Sequence, residues 1–498
     1  MLHRTAQHAS AREIWRVHED IDEMRNTGTM TNYPALLRRV VAPFARAGHS
    51  PSGIVATQKP GEEPAIFTWG SEYTRTTPYR IASLTKSFTG LALLILRREG
   101  KLVLDAPLVT YLPEIRFEQP AHWPAPTVRH ALSMATGLAT DNPWGDRQES
   151  ITRDELSEMM ASGMRTIFPA GTGFEYSNLG YALLGEIITR ITGEDYRDFV
   201  RANIIDPLGL TRTRFSASEL PEVVQGWHRE PAMPGVAGGW SEQEPSAPGA
   251  FSSIGGLFSC VDDLLKWAGM FVTGEVPSGL RFTAADITEA QQIVNAIAPA
   301  GASLYGVAET GGYGFGLRIQ HVAGVGRIVS HAGGYPGFTC LMVWHEETKQ
   351  IVLSSANGTH AGAPGLAYQV MHALLSKKRP TPAVQAWPEL TERANNMVAF
   401  VRAAVAGEEP GAEAFAMNAE LDIPLARRTA FLREAAVTLG TLGAPTTIIP
   451  GAACRGTFEI PGEFGSLRIF IELEPLAPYG VQTFHATLVS GVKELRLF

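Results

Sequence analysis

Residues 79–90 read YRIASLTKSFTG, and within them Ser83 and Lys86 are three positions apart at the expected start of a helix. Residues three apart on a helix share one face, so the Lys86 amine can lie beside the Ser83 hydroxyl. A serine hydroxyl becomes a good nucleophile when a neighbouring base accepts its proton. The free N–H groups and positive dipole end of a helix N-terminus favour an oxyanion. The segment therefore combines three parts of an acyl-transfer site, although Ser-x-x-Lys alone occurs about once or twice by chance in such a chain.

The sequence around this segment predicts a sheet with helices packed on it. Residues 88–96 are apolar all round, as expected for a helix buried at the centre of a domain. Mostly helical sequence follows, in which residues 180–192 form an amphipathic helix that Gly193 ends. Predicted strands cover residues 53–57, 65–69, 315–321, 327–330, 338–344 and 350–354, with further helices at 35–47 and 366–375. This order favours an α+β fold, an α/β sandwich whose antiparallel sheet is flanked by helices and carries a helical insertion.

Composition divides the chain into a main domain and a smaller one. Residues 1–29 are predicted to be a polar N-terminal extension, with Met30 as an alternative start to Met1. The main domain is expected over residues 30–378, and residues 379–388 are a linker by composition. Residues 389–498 are predicted to form a small α+β domain of unknown role, with helices at 390–406 and 425–439 and strands at 457–460, 467–473 and 482–489.

Residues 219–251 are rich in Pro, Gly and Glu. We predict a long irregular segment here, either a lid over a site or mobile surface. Trp227 and Trp240 belong to it and could line a pocket, although ordinary packing is the simpler role for each.

The composition also excludes several classes of partner. The net charge is −8 and there is no dense block of Lys and Arg, which makes nucleic acid and acidic membranes poor partners. The longest apolar run, residues 91–96, is too short to cross a membrane, and the N-terminus has no apolar signal-peptide core. Cys260, Cys340 and Cys454 are far apart and lack metal-ligand spacing, as expected of core residues in a reducing compartment. We expect a soluble, cytoplasmic protein without a metal or nucleotide cofactor.

A second motif, Tyr176-Ser177-Asn178, follows Ser83 by 93 residues and precedes a predicted helix. A tyrosine near a lysine ammonium is expected to have a lowered pKa and could serve as a base. An asparagine amide can both donate to and accept from a substrate amide or ester. Taken alone, the motif is better explained by a helix cap beside a packed tyrosine.

The third motif, His331-Ala332-Gly333-Gly334, is placed at the start of a predicted strand. Small residues such as Gly333 would let the strand backbone approach a substrate closely. A free N–H on this strand could pair with that of the nucleophile as an oxyanion hole. For His331 alone, a structural histidine is the simpler interpretation.

Together the three motifs resemble those of the serine beta-lactamase and penicillin-binding-protein superfamily, over about residues 31–378. The similarity is to the branch of class C beta-lactamases, D-Ala-D-Ala carboxypeptidases, D-aminopeptidases and related esterases. Residues 79–90 resemble the nucleophile segment of this branch, and residues 128–138 resemble its LLxMxSGL helix. Residues 255–264 resemble its GGLxSTxxDL segment, with Cys260 where a hydroxylated residue is usual.

The resemblance implies a serine hydrolase that acts on a small ester, amide or peptide through an acyl-enzyme, without a cofactor. Ser83 would be the nucleophile, and Lys86 with Tyr176 would form its base system. Asn178 would orient the carbonyl or amide of the substrate. The N–H groups of Ser83 and Gly334 would form the oxyanion hole, and His331 would bind substrate or assist proton transfer.

The third motif departs from the Lys-Thr-Gly often found in the family, because His331 stands in place of the lysine. Lysine keeps its charge at neutral pH, whereas an unperturbed histidine is mostly neutral. A carboxylate-bearing β-lactam or D-Ala-D-Ala terminus would lose a fixed cation. The His-x-Gly form instead resembles the carboxypeptidase, D-aminopeptidase and esterase members of the family. The resemblance therefore implies an esterase, peptidase or amidase, with D-amino-acid peptides or amides among the candidate substrates, rather than an efficient beta-lactamase. A weak beta-lactamase, an acyltransferase on the same fold and a non-catalytic binder stay open, as does a homo-oligomer.

Overall fold

The structure, a computed structural model, describes residues 32–70, 73–230, 239–298, 309–375 and 384–489, together with the backbone of 494–496. The chain divides into two compact units, Met1–Lys377 and Lys378–Phe498. The predicted extension at residues 1–29 lies outside the described residues, as does the predicted linker up to residue 383. Pro388, the last residue of that linker, begins a helix of the second unit.

The described strands of the first unit are β1 (Gly53–Gln58), β2 (Ala65–Trp69), β3 (Tyr79–Arg80), β4 (Phe117–Glu118), β5 (Met164–Arg165), β6 (Gly226–Glu230), β7 (Gly239–Gln243), β8 (Phe258–Ser259), β9 (Asn295–Ile297), β10 (Glu309–Tyr313), β11 (Arg318–Val322), β12 (Gly326–Tyr335), β13 (Phe338–His345) and β14 (Ile351–Ala356). Eight of these described strands form an antiparallel sheet in the middle of the unit, in the order β2-β1-β14-β13-β12-β11-β10-β9. Strands from both ends of the unit pair with each other, since Gly53 of β1 lies opposite Ala356 of β14. The predicted antiparallel sheet with a helical insertion is confirmed.

Helices cover both faces of this sheet. The described helices of this unit, including those of the helical insertion, are α1 (Tyr33–Arg46), α2 (Thr85–Arg98), α3 (Val128–Leu132), α4 (Asn142–Gly145), α5 (Arg153–Ser162), α6 (Asn178–Thr192), α7 (Tyr196–Val200), α8 (Ser252–Gly255), α9 (Val261–Thr273), α10 (Ala284–Ala290) and α11 (Ala363–Leu375). Successive residues of a strand point to opposite faces, and β13 shows this directly. Val343 packs with Leu37 and Val370 of the outer helices α1 and α11. Met342 packs with Phe88 of α2 in the larger core.

Helix α2 lies inside this larger core. Every side chain from Thr85 to Leu96 is buried, as the all-round apolar pattern predicts. Phe88 stacks on Trp267 of α9 with ring centres 3.8 Å apart. The helix that begins just after Ser83 is therefore held by packing along most of its length.

Two of the local predictions are wrong. Residues 219–251 are not irregular throughout, because β6 and β7 pair as an antiparallel two-stranded sheet whose connection, residues 231–238, lies outside the described residues. Trp227 and Trp240 lie in these strands. The third motif does not start a strand but occupies the second half of the ten-residue strand β12. In both cases the partner strand supplies hydrogen bonds that a local pattern does not reveal.

The second unit has its own α+β core. Its elements are α12 (Pro388–Val405), α13 (Asn418–Asp422), α14 (Leu425–Leu439), β15 (Ile449–Ala452), β16 (Arg455–Gly462), β17 (Gly465–Leu473), β18 (Val481–Val489) and β19 (Glu494–Arg496). The strands form one antiparallel sheet in sequence order. Phe400 of α12 and Leu432 of α14 pack with Phe458 and Phe484 of the sheet. Across the described parts of both units, no helix combines the length and apolar character needed to span a membrane.

Candidate active site

Ser83 lies where the short strand β3 leads into helix α2. A 3-10 turn, Ala82–Leu84, joins the two elements, and Ala82 has a left-handed backbone with φ of 48°. Alanine rarely adopts this conformation, so the packing around the turn must hold it. Gly255 lies against the turn, where a Cβ would be only 3.3 Å from the carbonyl carbon of Ala82. The nucleophile candidate is thus presented on a tight and closely packed turn.

Lys86 is fully buried in the first turn of α2. Its Nζ donates to Ser83 Oγ at 3.1 Å, to Asn178 Oδ1 at 2.8 Å and to the Ile254 carbonyl at 2.7 Å. Burial lowers the pKa of Lys86 to about 7, although the charge of Asp146 opposes the shift. A lysine with this pKa is partly neutral near pH 7, so it can accept a proton from the adjacent hydroxyl.

Tyr176 adjoins both of these groups. Its hydroxyl is hydrogen-bonded with the Ser83 side chain, and Lys86 Nζ lies 5.0 Å from the centre of its ring. Burial raises the pKa of Tyr176 well above that of a free tyrosine, and the hydrogen bond with Ser83 opposes this only in part. The expected lowering of this pKa is therefore wrong in direction, because the phenolate loses solvation and the charges of Asp146 and Asp141 raise the pKa further. Tyr176 is suited to donate and relay a proton rather than to act alone as a base.

A cavity of about 660 Å³ opens at Ser83. It is lined by four of the predicted site residues, Ser83, Tyr176, His331 and Gly334. The charged residues Asp146, Arg147 and Arg318 also line it, and sequence reasoning missed all three. Arg318 of β11 lies opposite Ser330 of β12, so only the register of these strands brings it next to the third motif. Neither Trp227 nor Trp240 is among the residues that line this cavity.

Asn178 does not line the cavity. It is fully buried at the start of α6, where its Oδ1 accepts from Lys86 and its Nδ2 donates to Asn142 Oδ1 at 3.0 Å. Asn142 does line the cavity. The structure thus places Asn178 behind the cavity wall, where it holds Lys86. The asparagine amide that faces the cavity is that of Asn142, and not that of Asn178 as predicted.

Asp141 holds the second motif in place. Its carboxylate accepts from the backbone N–H of Asn178 at 2.7 Å and of Leu179 at 2.8 Å, and from Ser177 Oγ at 3.3 Å. A carboxylate at a helix N-terminus satisfies N–H groups that have no partner within the helix and interacts favourably with the helix dipole. Asp141 therefore links the loop before α4 to the helix that carries Asn178.

We expect Asp141→Ala to lower the free energy of unfolding by about 1–2 kcal/mol, because a helix cap is lost. It should also lower kcat, since Asn178 and through it Lys86 lose their support. Urea denaturation and steady-state kinetics measure the two effects. Asp195→Ala is the matched control, because Asp195 caps α7 by accepting from Arg197 N at 2.9 Å. A similar loss of kcat in both variants would contradict a specific role for Asp141.

His331 is buried in β12 and makes hydrogen bonds through both ring nitrogens. Nδ1 lies 2.7 Å from the Ala332 carbonyl, which can only accept, so Nδ1 carries the proton. Nε2 then accepts from the Tyr313 hydroxyl at 2.8 Å. Burial, assisted by the charge of Lys86, lowers the pKa of His331 to about 3. His331 is thus neutral, and it does not replace the positive charge of the usual lysine.

The two glycines of the third motif face different surroundings. A Cβ on Gly333 would lie 2.4 Å from Cys340 Sγ and 2.5 Å from the Ile81 carbonyl. Gly333 therefore permits close packing of β12 on the nucleophile segment, and it is not among the residues lining the cavity, contrary to the predicted approach to substrate. A Cβ on Gly334 would meet no atom within 4 Å, and Gly334 does line the cavity.

One edge of β12 is available next to the cavity. Strand β11 pairs with β12 only as far as Ser330, and within the described ranges no strand continues along that edge beside residues 331–335. An unpaired strand edge can bind an extended backbone by β-augmentation. The arrangement therefore suits a substrate with a peptide-like backbone.

A buried ion pair ties the nucleophile segment to the cavity wall. Arg80 and Glu149 are each 1% exposed and lie 3.0 Å apart between Nη2 and Oε2. The guanidinium lies between the rings of Phe258, at 4.4 Å, and Tyr335, at 4.5 Å, and also donates to the Gly255 carbonyl. The Tyr335 hydroxyl donates to Glu149 Oε2 at 2.6 Å. Strand β3, the helical insertion and the end of β12 are thus joined at one point.

Comparison with known proteins places this arrangement in a family. The family model for beta-lactamases matches residues 37–375, most of the chain. The chain belongs to the beta-lactamase family. The resemblance inferred from the three motifs is thereby confirmed.

Two bacterial proteins are relatives of this beta-lactamase-family chain over part of their length. Penicillin-binding protein 4* of Bacillus subtilis (strain 168) is 27% identical over 290 residues, which are 56% of this chain and 60% of that protein. Protein flp of Staphylococcus aureus (strain NCTC 8325 / PS 47) is 32% identical over 151 residues, 28% of each chain. The chain thus spans less than two thirds of the length of these relatives.

Two solved structures are similar in fold to this chain. The octameric penicillin-binding protein homologue from Pyrococcus abyssi has a TM-score of 0.58 at 20% identity, covering 94% of this chain and 95% of that one. D-amino acid amidase from Ochrobactrum anthropi SV3, complexed with L-phenylalanine amide, has a TM-score of 0.56 at 24% identity, covering 69% and 99%. At these identities the likeness establishes the fold.

Proposed function

We propose that the protein is a serine hydrolase that cleaves an ester or amide through a Ser83 acyl-enzyme. The observation that supports this most is the contact of 3.1 Å between the Ser83 hydroxyl, which lines a cavity, and the buried amine of Lys86. Burial brings the pKa of Lys86 to about 7, where the neutral form is well populated. A hydroxyl paired with such an amine has the base that nucleophilic attack requires.

The proposed reaction has two steps. Neutral Lys86 takes the Ser83 proton as Oγ bonds to the substrate carbonyl carbon, and the N–H groups of Ser83 and Gly334 stabilise the oxyanion. The bond to the leaving group then breaks, while Tyr176 gives its proton to the leaving atom and receives the proton held by Lys86. Water then attacks the acyl-enzyme, and its proton passes to Lys86. The bond between Ser83 Oγ and the acyl carbon breaks, Lys86 returns the proton to Oγ, and the acid leaves.

Arg318 supports a substrate whose leaving part bears a carboxylate. Its side chain is exposed at the cavity and makes no hydrogen bond or ion pair in the parts of the chain that the structure describes. It lies close enough to His331 for its charge to lower the pKa of that histidine. A guanidinium is a good partner for a carboxylate. We therefore propose peptides and amides related to D-amino acids as the first substrates to test, with Arg318 supplying the cation that His331 lacks.

The pKa of Lys86 predicts how activity depends on pH. Since the neutral amine is the active form, kcat/KM should rise about tenfold per pH unit below pH 7 and level off above it. The initial rate of fluorophosphonate labelling of Ser83 should follow the same curve, because it needs the same base. A profile that is flat from pH 5.5 to 8.5 would exclude Lys86 as the base.

A substrate panel tests the proposed function. A p-nitrophenyl ester, a D-alanyl p-nitroanilide, a peptide ending in D-Ala-D-Ala and nitrocefin are each mixed with the protein, followed by product analysis and intact mass spectrometry. We expect turnover of at least one ester or amide and an acyl adduct on the peptide that contains Ser83. Acyl transfer to an added amine would show an acyltransferase. Failure of every probe, including the fluorophosphonate, to modify Ser83 would overturn the proposal.

A further inference from the structure

Asp146 is a carboxylate in the cavity wall that the acyl-transfer chemistry does not use. It follows the short helix α4, is partly buried and lines the same cavity as Ser83 and Tyr176. In the described part of the chain it makes no hydrogen bond and no ion pair through its side chain, in contrast to Asp141 five residues earlier. Asp146 is therefore a negative charge that faces the space where substrate binds.

The surroundings of Asp146 disfavour the charged form of its carboxyl group. Burial raises the pKa of Asp146 to about 6, and the charges of Lys86 and Arg147 offset this only in part. If Lys86 has to be neutral to accept a proton, Asp146 loses the charge of one of its two nearby cations in the form of the enzyme that reacts. The other, Arg147, forms no ion pair with Asp146 in the described part of the chain, and its Nη1 donates to the Pro143 carbonyl at 2.9 Å. A partly buried carboxylate is stabilised when a cation approaches and donates hydrogen bonds to it.

We propose that Asp146 binds an ammonium group on the acyl part of the substrate. The proposal rests on the proposed acyl-enzyme function and names the substrate class for that site. Arg318 comes from strand β11, on a different wall from the loop that holds Asp146. With the Asp146 carboxylate on one wall and the Arg318 guanidinium on another, the cavity fits a zwitterionic dipeptide, whose ammonium is on the acyl part and whose carboxylate is on the leaving part. An amino-acid amide, which carries the ammonium alone, would use only Asp146.

A different role for Asp146 makes a different prediction. If its charge served only to adjust the pKa of Lys86, removing the charge would alter the reactivity of Ser83 toward every compound equally. An ammonium site instead affects only compounds that carry an ammonium. A pair of probes that differ in this one group separates the two roles.

The experiment uses two boronic acids that bond reversibly to an active-site serine, 1-aminoethylboronic acid and its N-acetyl derivative. Each is tested on the full-length protein for its ability to slow fluorophosphonate labelling of Ser83. The affinity ratio of the two probes is then compared among the wild type, Asp146→Asn, Asp146→Ser and Asp154→Asn. Asp154 is the matched control because it is an exposed carboxylate in the first turn of α5. Because the affinity ratio of the two probes is taken within each variant, a change in Ser83 reactivity that affects both probes equally cancels.

We expect the wild type and Asp154→Asn to bind the free-amine probe about tenfold or more tightly than its acetylated form. Both Asp146 variants should lose this preference while they are still labelled at Ser83. Three results would overturn the ammonium site and leave the acyl-enzyme function intact. The Asp146 variants could keep the preference for the free-amine probe, they could bind both probes more weakly by the same factor, or the wild type could show no preference. Absence of labelling at Ser83 in the wild type would instead overturn the proposed function itself.

Discussion

Ser83→Ala is expected to lower turnover by about 10³-fold or more and to abolish covalent labelling by a fluorophosphonate. The substitution removes the only atom that forms the acyl bond in the proposed reaction. It should leave the fold intact, because Ser83 Oγ contacts the side chains of Lys86 and Tyr176 and supports no helix cap. Steady-state kinetics on the best substrate of the panel and mass spectrometry of the labelled protein measure the two effects.

A serine outside the cavity provides the control for that experiment. Ser162 is exposed at the end of α5, where its hydroxyl donates to the Met159 carbonyl. Ser162→Ala should keep full labelling and turnover. If Ser83→Ala were still labelled at the wild-type rate, or still turned over substrate within a few-fold of wild type, Ser83 would not be the nucleophile.

Glu149→Gln is expected to have the largest effect on stability, about 3–5 kcal/mol. The change keeps the shape of the side chain but leaves the Arg80 guanidinium buried without a counter-charge. Burying an unpaired charge costs far more than an exposed pair contributes. Because this network joins β3 to the end of β12, kcat should fall as well. Urea denaturation of the variant and the wild type measures the loss.

An exposed ion pair serves as the matched control. Arg165 and Glu118 lie 3.3 Å apart, with side chains 80% and 49% exposed. Such pairs contribute little in water, so Glu118→Gln should change stability by less than about 1 kcal/mol. Equal losses in the two variants would show that burial does not determine the contribution of the Arg80–Glu149 pair.

Much of the fold could be predicted from local sequence patterns. The all-round apolar helix after Ser83 and the strands at both ends of the first unit were predictable because hydrophobic periodicity reflects burial directly. The hairpin of β6 and β7 was not, because its strands are short and mostly polar outside Trp227 and Trp240. The position of the third motif within β12 was also missed, since a run of small residues carries little strand signal.

The candidate site, like the fold, could be predicted from the sequence only in part. Three motifs in a fixed order pointed to the residues around Ser83, but sequence reasoning assigned Asn178 and Gly333 to the substrate side. The structure places both behind the cavity wall, where Asn178 holds Lys86 and Gly333 packs on the nucleophile segment. Whether a side chain faces substrate or supports another side chain depends on packing between distant segments, which a motif does not encode.

By itself, the sequence determined that Ser83 and Lys86 would be neighbours, because residues three positions apart on a helix lie one turn apart on the same face. Only the tertiary structure decided the protonation of Lys86 and the charges around the cavity. Burial by α6 and α8 lowers the pKa of Lys86, and the register of β11 against β12 brings Arg318 to the third motif. Solvation and strand register arise when residues far apart in the chain pack together, so no local pattern contains them.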